Sequence, residues 1–357
     1  MKTWQVDALL LTHPADLAWV TGFTGHDSVG IVTARALTIV SDFRYQEQLS
    51  REAPKASVVM RKSNMLVALP ETLAAMGAKE IGFESHFTNY ATADAIRVHY
   101  EFARLSLDLI PLNNQLVNLR AIKDASEIKT IKHAIAIAQD ALSATLPTIR
   151  VGQTESEIAA KLVYEMGIRG ASGPSFDPIV AVGANSALPH YRAGQSKVEN
   201  GKPLLIDWGC VYDGYCSDLT RTYFVGKPHP KLAEIYKIVL KAQESAIKKI
   251  RPGMTNHQAD AIARDVITKA GYGKQFGHGT GHGLGKDIHE EPRLNKLFAE
   301  QILQVGQVVT IEPGIYLPGL GGVRIEDDVL LTPDGCEILS RFDKSPKAAT
   351  NTLMNAI

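Results

Sequence analysis

The segment from Gly277 to Glu326 admits few folds. It carries Gly277-His278-Gly279-Thr280-Gly281-His282-Gly283, then His289-Glu290-Glu291, Ile311-Glu312-Pro313-Gly314 and Val323-Arg324-Ile325-Glu326-Asp327. A helix or strand that packs a core repeats its apolar residues at a fixed period. This segment instead sets histidines and carboxylates, which are metal-ligand chemistry, among glycines, which permit tight turns and close backbone approach. The carboxylates it lacks for a full metal site lie upstream, at Asp207 and Asp218.

A repeat ties those upstream acids to the segment. Residues 201–209 align with 306–314: glycine, four residues, isoleucine, an acid, one residue, glycine, the acids being Asp207 and Glu312. Each copy is followed by a tyrosine, a turn and a second acid, Asp218 in one and Glu326 in the other. The predicted architecture is two helix-helix-strand-strand copies facing each other, each donating two carboxylates.

The rest of the chain fits around this. Its 357 residues suggest two domains. Residues 1–120 alternate strand and helix signals: strands over 6–11, 28–33, 36–40, 57–60, 80–83 and 105–110, and helices over 16–20, 45–52, 65–76 and 89–101. That pattern is a small α/β domain with a mixed sheet. A boundary near Leu119 to Lys123 separates it from residues 121–357. There, Asp124 with Glu127, Thr154 with Glu157 and Thr255 with Gln258 cap helices, and Pro230 opens another. Strands are expected at 179–182, 204–208, 215–225, 308–313 and 321–331. The fold class is α+β.

With 38 basic and 38 acidic residues, net charge is zero, so nothing points to nucleic acid or an anionic membrane. Cys210, Cys216 and Cys336 form an odd, sparse set and read as free thiols of a cytoplasmic protein. No signal peptide and no run near the ~18 apolar residues of a membrane span is expected.

Four carboxylates brought together repel unless cations lie between them. Two divalent ions sharing bridging acids, with His282 as a further ligand, would resolve the repulsion. The donors suit Mn²⁺ or Co²⁺, with Zn²⁺ and Fe²⁺ open.

The motifs 205–209, 217–222, 278–283, 311–314 and 322–327 resemble those of the pita-bread metallopeptidases, closest to the prolidase and aminopeptidase P branch. The stretch from His13 to Gly25 resembles the start of that branch's N-terminal domain. The resemblance implies a pita-bread catalytic domain over 121–357 behind a creatinase/prolidase-like domain over 1–120. It implies a dinuclear centre held by Asp207, Asp218, His282, Glu312 and Glu326, with Asp218 and Glu326 bridging, Asp207 on one ion, and His282 and Glu312 on the other. A bridging hydroxide would attack the Xaa-Pro carbonyl, and Glu312 would pass the proton to the leaving nitrogen. His190 and His289 match histidines that contact the substrate, and His289 would steady the oxyanion. Arg324 matches an arginine that orders the carboxylates, and Arg293 one that grips a dipeptide's free carboxylate. A homodimer is implied.

Two departures stand out. Met1 to Gln5 leaves little room for the helix that usually precedes the first strand, so the N-terminal domain is expected to be trimmed. Lys286 stands where an apolar residue is expected and would alter substrate preference if it faced the pocket. Plainer readings compete at single positions. Arg324 could be an ion-pair partner of Glu326 or Asp327, His278 a support for the backbone, Cys210 and Cys216 small packing residues, and Lys241, Lys248, Lys249 and Arg251 a solvated helix face. Dipeptidase and aminopeptidase remain open. The other classes are a creatinase-like hydrolase without metals and a non-catalytic binding protein on the same scaffold.

Overall fold

The computed structural model describes residues 2–113 and 115–353. The chain divides into two compact units, Met1–Arg120 and Ala121–Ile357.

The first unit contains β1 (Ala8–Leu11), α1 (Pro14–Thr21), β2 (Val29–Thr33), β3 (Leu37–Ser41), α2 (Gln46–Glu52), β4 (Ser57–Met60), α3 (Met65–Ala75), β5 (Glu80–Glu84), α4 (Tyr90–Phe102), β6 (Asp108–Leu112) and α5 (Gln115–Ala121), whose last residue opens the second unit. Its sheet runs β4-β3-β2-β1-β5-β6, antiparallel through β1, β2 and β3 and parallel at β4, β5 and β6. The mixed sheet was legible because β1 reads as unbroken apolar sequence. Such a strand needs cover on both faces. Ala8 and Leu10 pack with Leu69, Leu73 and Ile96 on one face, while Leu9 and Leu11 pack with Leu17 and Leu49 on the other. Each such fully buried leucine contributes about 1.5–3 kcal/mol.

The second unit holds α6 (Ala125–Thr145), α7 (Glu155–Gly167), β7 (Gly173–Pro174), β8 (Ile179–Val182), β9 (Pro203–Trp208), β10 (Cys210–Tyr212), β11 (Tyr215–Cys216) and β12 (Leu219–Phe224), followed by α8 (Pro230–Lys249), α9 (Asn256–Lys269), β13 (Gly281–Gly283), β14 (Glu290–Leu294), β15 (Val308–Ile311), β16 (Gly314–Leu317), β17 (Gly321–Arg324), β18 (Asp327–Thr332), β19 (Gly335–Ile338) and α10 (Pro346–Asn351). Two helices and then strands therefore occur twice. Capping boxes open α6, α7 and α9 at the residues the sequence marks, because each Asp or Thr side chain accepts from the N–H three residues on. The buried faces of α6 and α7 pack on β8, β9 and β12, and those of α8 and α9 on β15, β17 and β18.

Two strands expected to be continuous are broken, and the breaks fall at acids. The expected strand over 215–225 stops after Cys216 and resumes at Leu219, leaving Ser217 and Asp218 outside. That over 321–331 stops at Arg324 and resumes at Asp327, leaving Ile325 and Glu326 outside. The cause is pairing between the halves. Glu326 N–H donates to the Thr220 carbonyl at 3.1 Å, Asp218 N–H to Asp328 Oδ2 at 3.1 Å, and Thr222 Oγ1 to the Arg324 carbonyl at 3.0 Å. Asp218 thus meets Asp328 as Thr220 meets Glu326. With the second acids of the repeat as counterparts, Asp218 of Glu326 and hence Thr220 of Asp328, the pairing maps onto itself, as a local two-fold requires.

Candidate functional site

The four acids stand at or beside strand ends. Asp207 lies near the end of β9, opposite Thr220 of β12. Glu312 follows β15, and Pro313 after it has no N–H with which to extend the ladder. Asp218 and Glu326 occupy the two strand breaks. His282 is the centre of β13, opposite Arg293 of β14. A Cβ on Gly281 would sit 1.9 Å from the Thr310 carbonyl oxygen, and one on Gly283 2.1 Å from that of Glu291. Only glycine on either side lets the His282 strand lie that close to its neighbours.

Asp207, Asp218, His282, Glu312 and Glu326 line one cavity of about 390 Å³, together with His190, His278, His289, Arg293 and Arg324. Asp218, His282 and Glu326 offer ligand atoms within 4.8 Å of one another. His282 Nε2 stands 3.5 Å from Asp218 Oδ2 and 3.6 Å from Glu312 Oε1. Asp207 is drawn to the side, where its Oδ2 accepts from Arg324 at 2.5 Å, while its Oδ1 is buried without a hydrogen bond. Phe176, Ile179, Ile288 and Phe298 supply apolar wall.

The electrostatics are those of acids crowded out of water. Burial raises the Asp218 carboxyl far above its usual range, and Glu326, Asp207, Asp328 and Glu312 push it further. Glu326 is raised likewise by burial, then by Glu312 and Asp207. Burial lifts Glu312 to about 8, with Asp207 adding to the shift and Arg324 opposing it. Burial, then His289, lowers His282 to about 3, so its imidazole is neutral. Its Nδ1 lies 3.0 Å from the Gly283 carbonyl, which fixes the proton there and leaves the Nε2 lone pair facing carboxylate oxygens. A lone pair and several carboxylates converging on one space form a donor set without a cation. The residues therefore fit divalent ions, which the proton-free Nε2 and the Asp207 Oδ1 are ready to ligate.

The surrounding residues separate into groups. His289 stacks edgewise on His282 with ring centroids 4.4 Å apart, and burial, Arg293 and His190 lower it. Arg293 is half-buried, and one guanidinium nitrogen donates to the His289 carbonyl at 3.3 Å. His278 is a support: Nδ1 lies 2.8 Å from the Gly279 carbonyl and Nε2 2.8 Å from the Tyr316 hydroxyl. Arg324 pairs with Asp207, and Asp327 pairs with Arg221 at 2.7 Å, so neither Glu326 nor Asp327 is the partner of Arg324. The Lys286 ammonium lies 4.3 Å above the Tyr215 ring and does not line the cavity. Cys210 and Cys216 are buried thiols, raised by burial to about 11 and about 12.

Three participants escaped sequence reasoning. Tyr316 joins His278 to Arg324, its hydroxyl accepting from Arg324 at 2.8 Å. Thr220 Oγ1 donates to Glu326 Oε2 at 2.7 Å. Asp328, fully buried, holds the Asp218 N–H. The repeated tyrosine was a signal for the first; the other two act across the local two-fold, which no local pattern announces.

Comparison with known proteins extends the reading to the whole chain. Residues 129–333 match metallopeptidase family M24, and residues 1–122 match the creatinase/prolidase N-terminal domain. An Xaa-Pro dipeptidase from Pyrococcus furiosus is 36% identical over 343 residues, covering 95% of each chain. The structure of an Xaa-Pro dipeptidase from Bacillus anthracis superimposes with a TM-score of 0.91 at 40% identity, over 96% of this chain and 95% of that one. An X-Pro aminopeptidase from Thermotoga maritima gives 0.87 at 37%, over 95% and 97%. The α+β pita-bread architecture of the second unit is thereby shown. The family is one of metallopeptidases, which use divalent ions, and the chain belongs to metallopeptidase family M24.

Proposed function

We propose that the chain hydrolyses the peptide bond before proline, with two divalent ions, manganese or cobalt in first place and zinc possible, held by Asp207, Asp218, His282, Glu312 and Glu326. The observation that carries the ion site is the neutral His282, its Nε2 lone pair turned toward Asp218 and Glu312 among buried acids. The activities of the relatives supply the proline specificity. When bound, the ions supply Lewis acidity and an activated water.

The chain's own residues do the rest. An Xaa-Pro amide has no N–H, so the substrate must be held by its carbonyl and its ring. His190 and His289 face the cavity and serve as donors to the carbonyl region, His289 steadying the developing oxyanion. Phe176, Ile179, Ile288 and Phe298 exclude water around the ring. Glu312, just past the end of β15 and facing the cavity, is the group placed to pass a proton to the departing proline nitrogen. Arg324 holds Asp207 in place, and Arg293 receives the free carboxylate of a dipeptide. That half-buried cation favours the dipeptidase reading; the aminopeptidase reading keeps support from the Thermotoga maritima structure.

Protein stripped with chelator and reloaded with Mn²⁺ should cleave Xaa-Pro dipeptides faster than Xaa-Pro-Xaa tripeptides. The reverse order selects the aminopeptidase; loaded protein that cleaves neither overturns the proposal, and full activity in the stripped protein overturns the dinuclear reading. The expected setting is the cytoplasm, in keeping with three free cysteines. Among the described residues no helix is long and apolar enough to cross a membrane. A homodimer is expected, and a sedimentation mass of one chain would contradict it.

A further inference from the structure

The C-terminal segment after β19 reaches both acids proposed to bridge the ions, each through one intermediary. Ser340 Oγ accepts from Asp328 N–H at 2.9 Å, and Asp328 Oδ2 in turn holds the Asp218 N–H. The Phe342 carbonyl accepts from Arg221 Nη2 at 2.7 Å, and Arg221 Nη1 donates to the Glu326 carbonyl at 2.5 Å. Asp327 joins the two routes. Its Oδ1 accepts from Arg221 and from Ser340 Oγ, and its Oδ2 from Gln243 and from the Lys344 ammonium. Lys344 also donates to Gln243 Oε1 at 2.8 Å.

The segment does not need that ammonium to stay in place. Ala349 and Leu353 bury their side chains in the two cores of the unit, and Tyr236 OH donates to the Lys344 carbonyl at 3.0 Å. What the ammonium does is divide Asp327 between two cations, one on each oxygen. With Lys344 gone, Arg221 is the remaining cation on Asp327 and is drawn toward Oδ2, off the Glu326 carbonyl. Removing one of its two cations leaves the buried carboxylate under-compensated, so its hold on the other tightens.

We propose that Lys344 is a positioning residue for the metal centre: through Asp327 and Arg221 it fixes the Glu326 peptide, so the C-terminal segment sets the affinity for divalent ions. The proposal rests on the ligand assignment given above. Groups bonded directly to a ligand govern metal affinity by about 10–100-fold, and for Lys344, which acts through two further residues, the low end of that range is expected.

Calorimetric titration of chelator-stripped protein with Mn²⁺ alone tests it. Lys344→Met should weaken binding by about tenfold, and Lys344→Arg, which keeps the charge, should restore it to within about threefold. Binding by Lys344→Met within twofold of the unaltered chain, even with a lowered Tm, overturns the proposal and leaves a merely structural lysine. Should Lys344→Met fail to fold, Lys344→Gln, which keeps a donor and loses the charge, decides in its place: weakened Mn²⁺ binding supports the proposal and unchanged binding overturns it. An unaltered chain that binds no Mn²⁺ instead sinks the ligand assignment itself, which is a separate result.

Discussion

Each unit of the chain contains a cluster of buried acids beside a histidine and an arginine, and the two clusters resolve their charge differently. In the first unit, Asp16, Glu84 and His13 bring ligand-type atoms within 4.8 Å of one another. Burial would raise Asp16, but His13, Glu84 and the Arg120 guanidinium, 2.5 Å away, outweigh it and hold the carboxyl below its usual range. Burial and then Asp16 lift Glu84 to about 9, so Glu84 stays protonated near neutral pH while the backbone N–H groups of Thr12 and His13 bind its other oxygen. One arginine and one proton neutralise the pair. In the second unit four carboxylates share Arg324, and Arg324 engages Asp207 directly. Burial and mutual repulsion raise the other three, so without cations they hold protons that divalent ions would displace. A histidine beside acids is thus no sign of a metal by itself; the charge balance decides.

The comparison breaks most sharply if the same substitution does the same thing in both places. Asp218→Ala should cost more than about a hundredfold in peptidase activity, beyond the loss typical of outer partners, and should reduce bound Mn²⁺ by mass spectrometry. Asp16→Ala should leave turnover per folded molecule unchanged. Equal losses of turnover would erase the distinction.

Arg120→Met comes next. It leaves Asp16 buried without its cation and should destabilise the first unit by about 3–5 kcal/mol in urea unfolding, with no change in Mn²⁺ affinity. A change in that affinity would contradict the separation drawn here.

Loading with Mn²⁺ at 100 times its dissociation constant should stabilise the second unit by about 2.7 kcal/mol and leave the first unchanged. Hydrogen exchange resolved by segment reads this, and equal protection of β1 and β15 would count against it.

The smallest effect concerns pH. The unfolded chain loses the Glu84 proton near the ordinary value of 4.5 and the folded one near 9. Folding therefore loses stability as pH rises from about 4.5 toward 9, and no further above that. Glu84→Gln keeps the donor and cannot ionise, so between pH 6 and 7 its Tm should stay flat where that of the unaltered chain falls by a few degrees, at about 1.4 kcal/mol per pH unit. Parallel profiles would show that Glu84 is ionised in the fold.

What the sequence revealed follows the reach of the interactions. The start of the helix Ala125–Thr145 was legible, because Asp124 and Glu127 cap it within four positions. The pairing of β2 with β3 was legible from two β-rich runs separated by two residues. The breaks at Asp218 and Glu326 were not, because the backbone that causes them belongs to the opposite half, more than a hundred residues away. The residues that gather around the cavity were readable as a motif set, whereas the partner of Arg324 and the outward turn of Lys286 depend on packing. The cluster of Asp16, Glu84 and Arg120 went unnoticed because its members lie far apart and each resembles an ordinary surface charge.

The tight quarters around β13 carry an evolutionary consequence. Glycine and alanine codons differ by one base, and a methyl group at position 281 or 283 would collide with a carbonyl oxygen held by the next strand. A lineage can therefore abandon the chemistry while every ligand letter survives in its gene, by altering a neighbour of His282 alone. Inheritance of activity in such chains is better judged from those two silent-looking positions than from the five conspicuous ones.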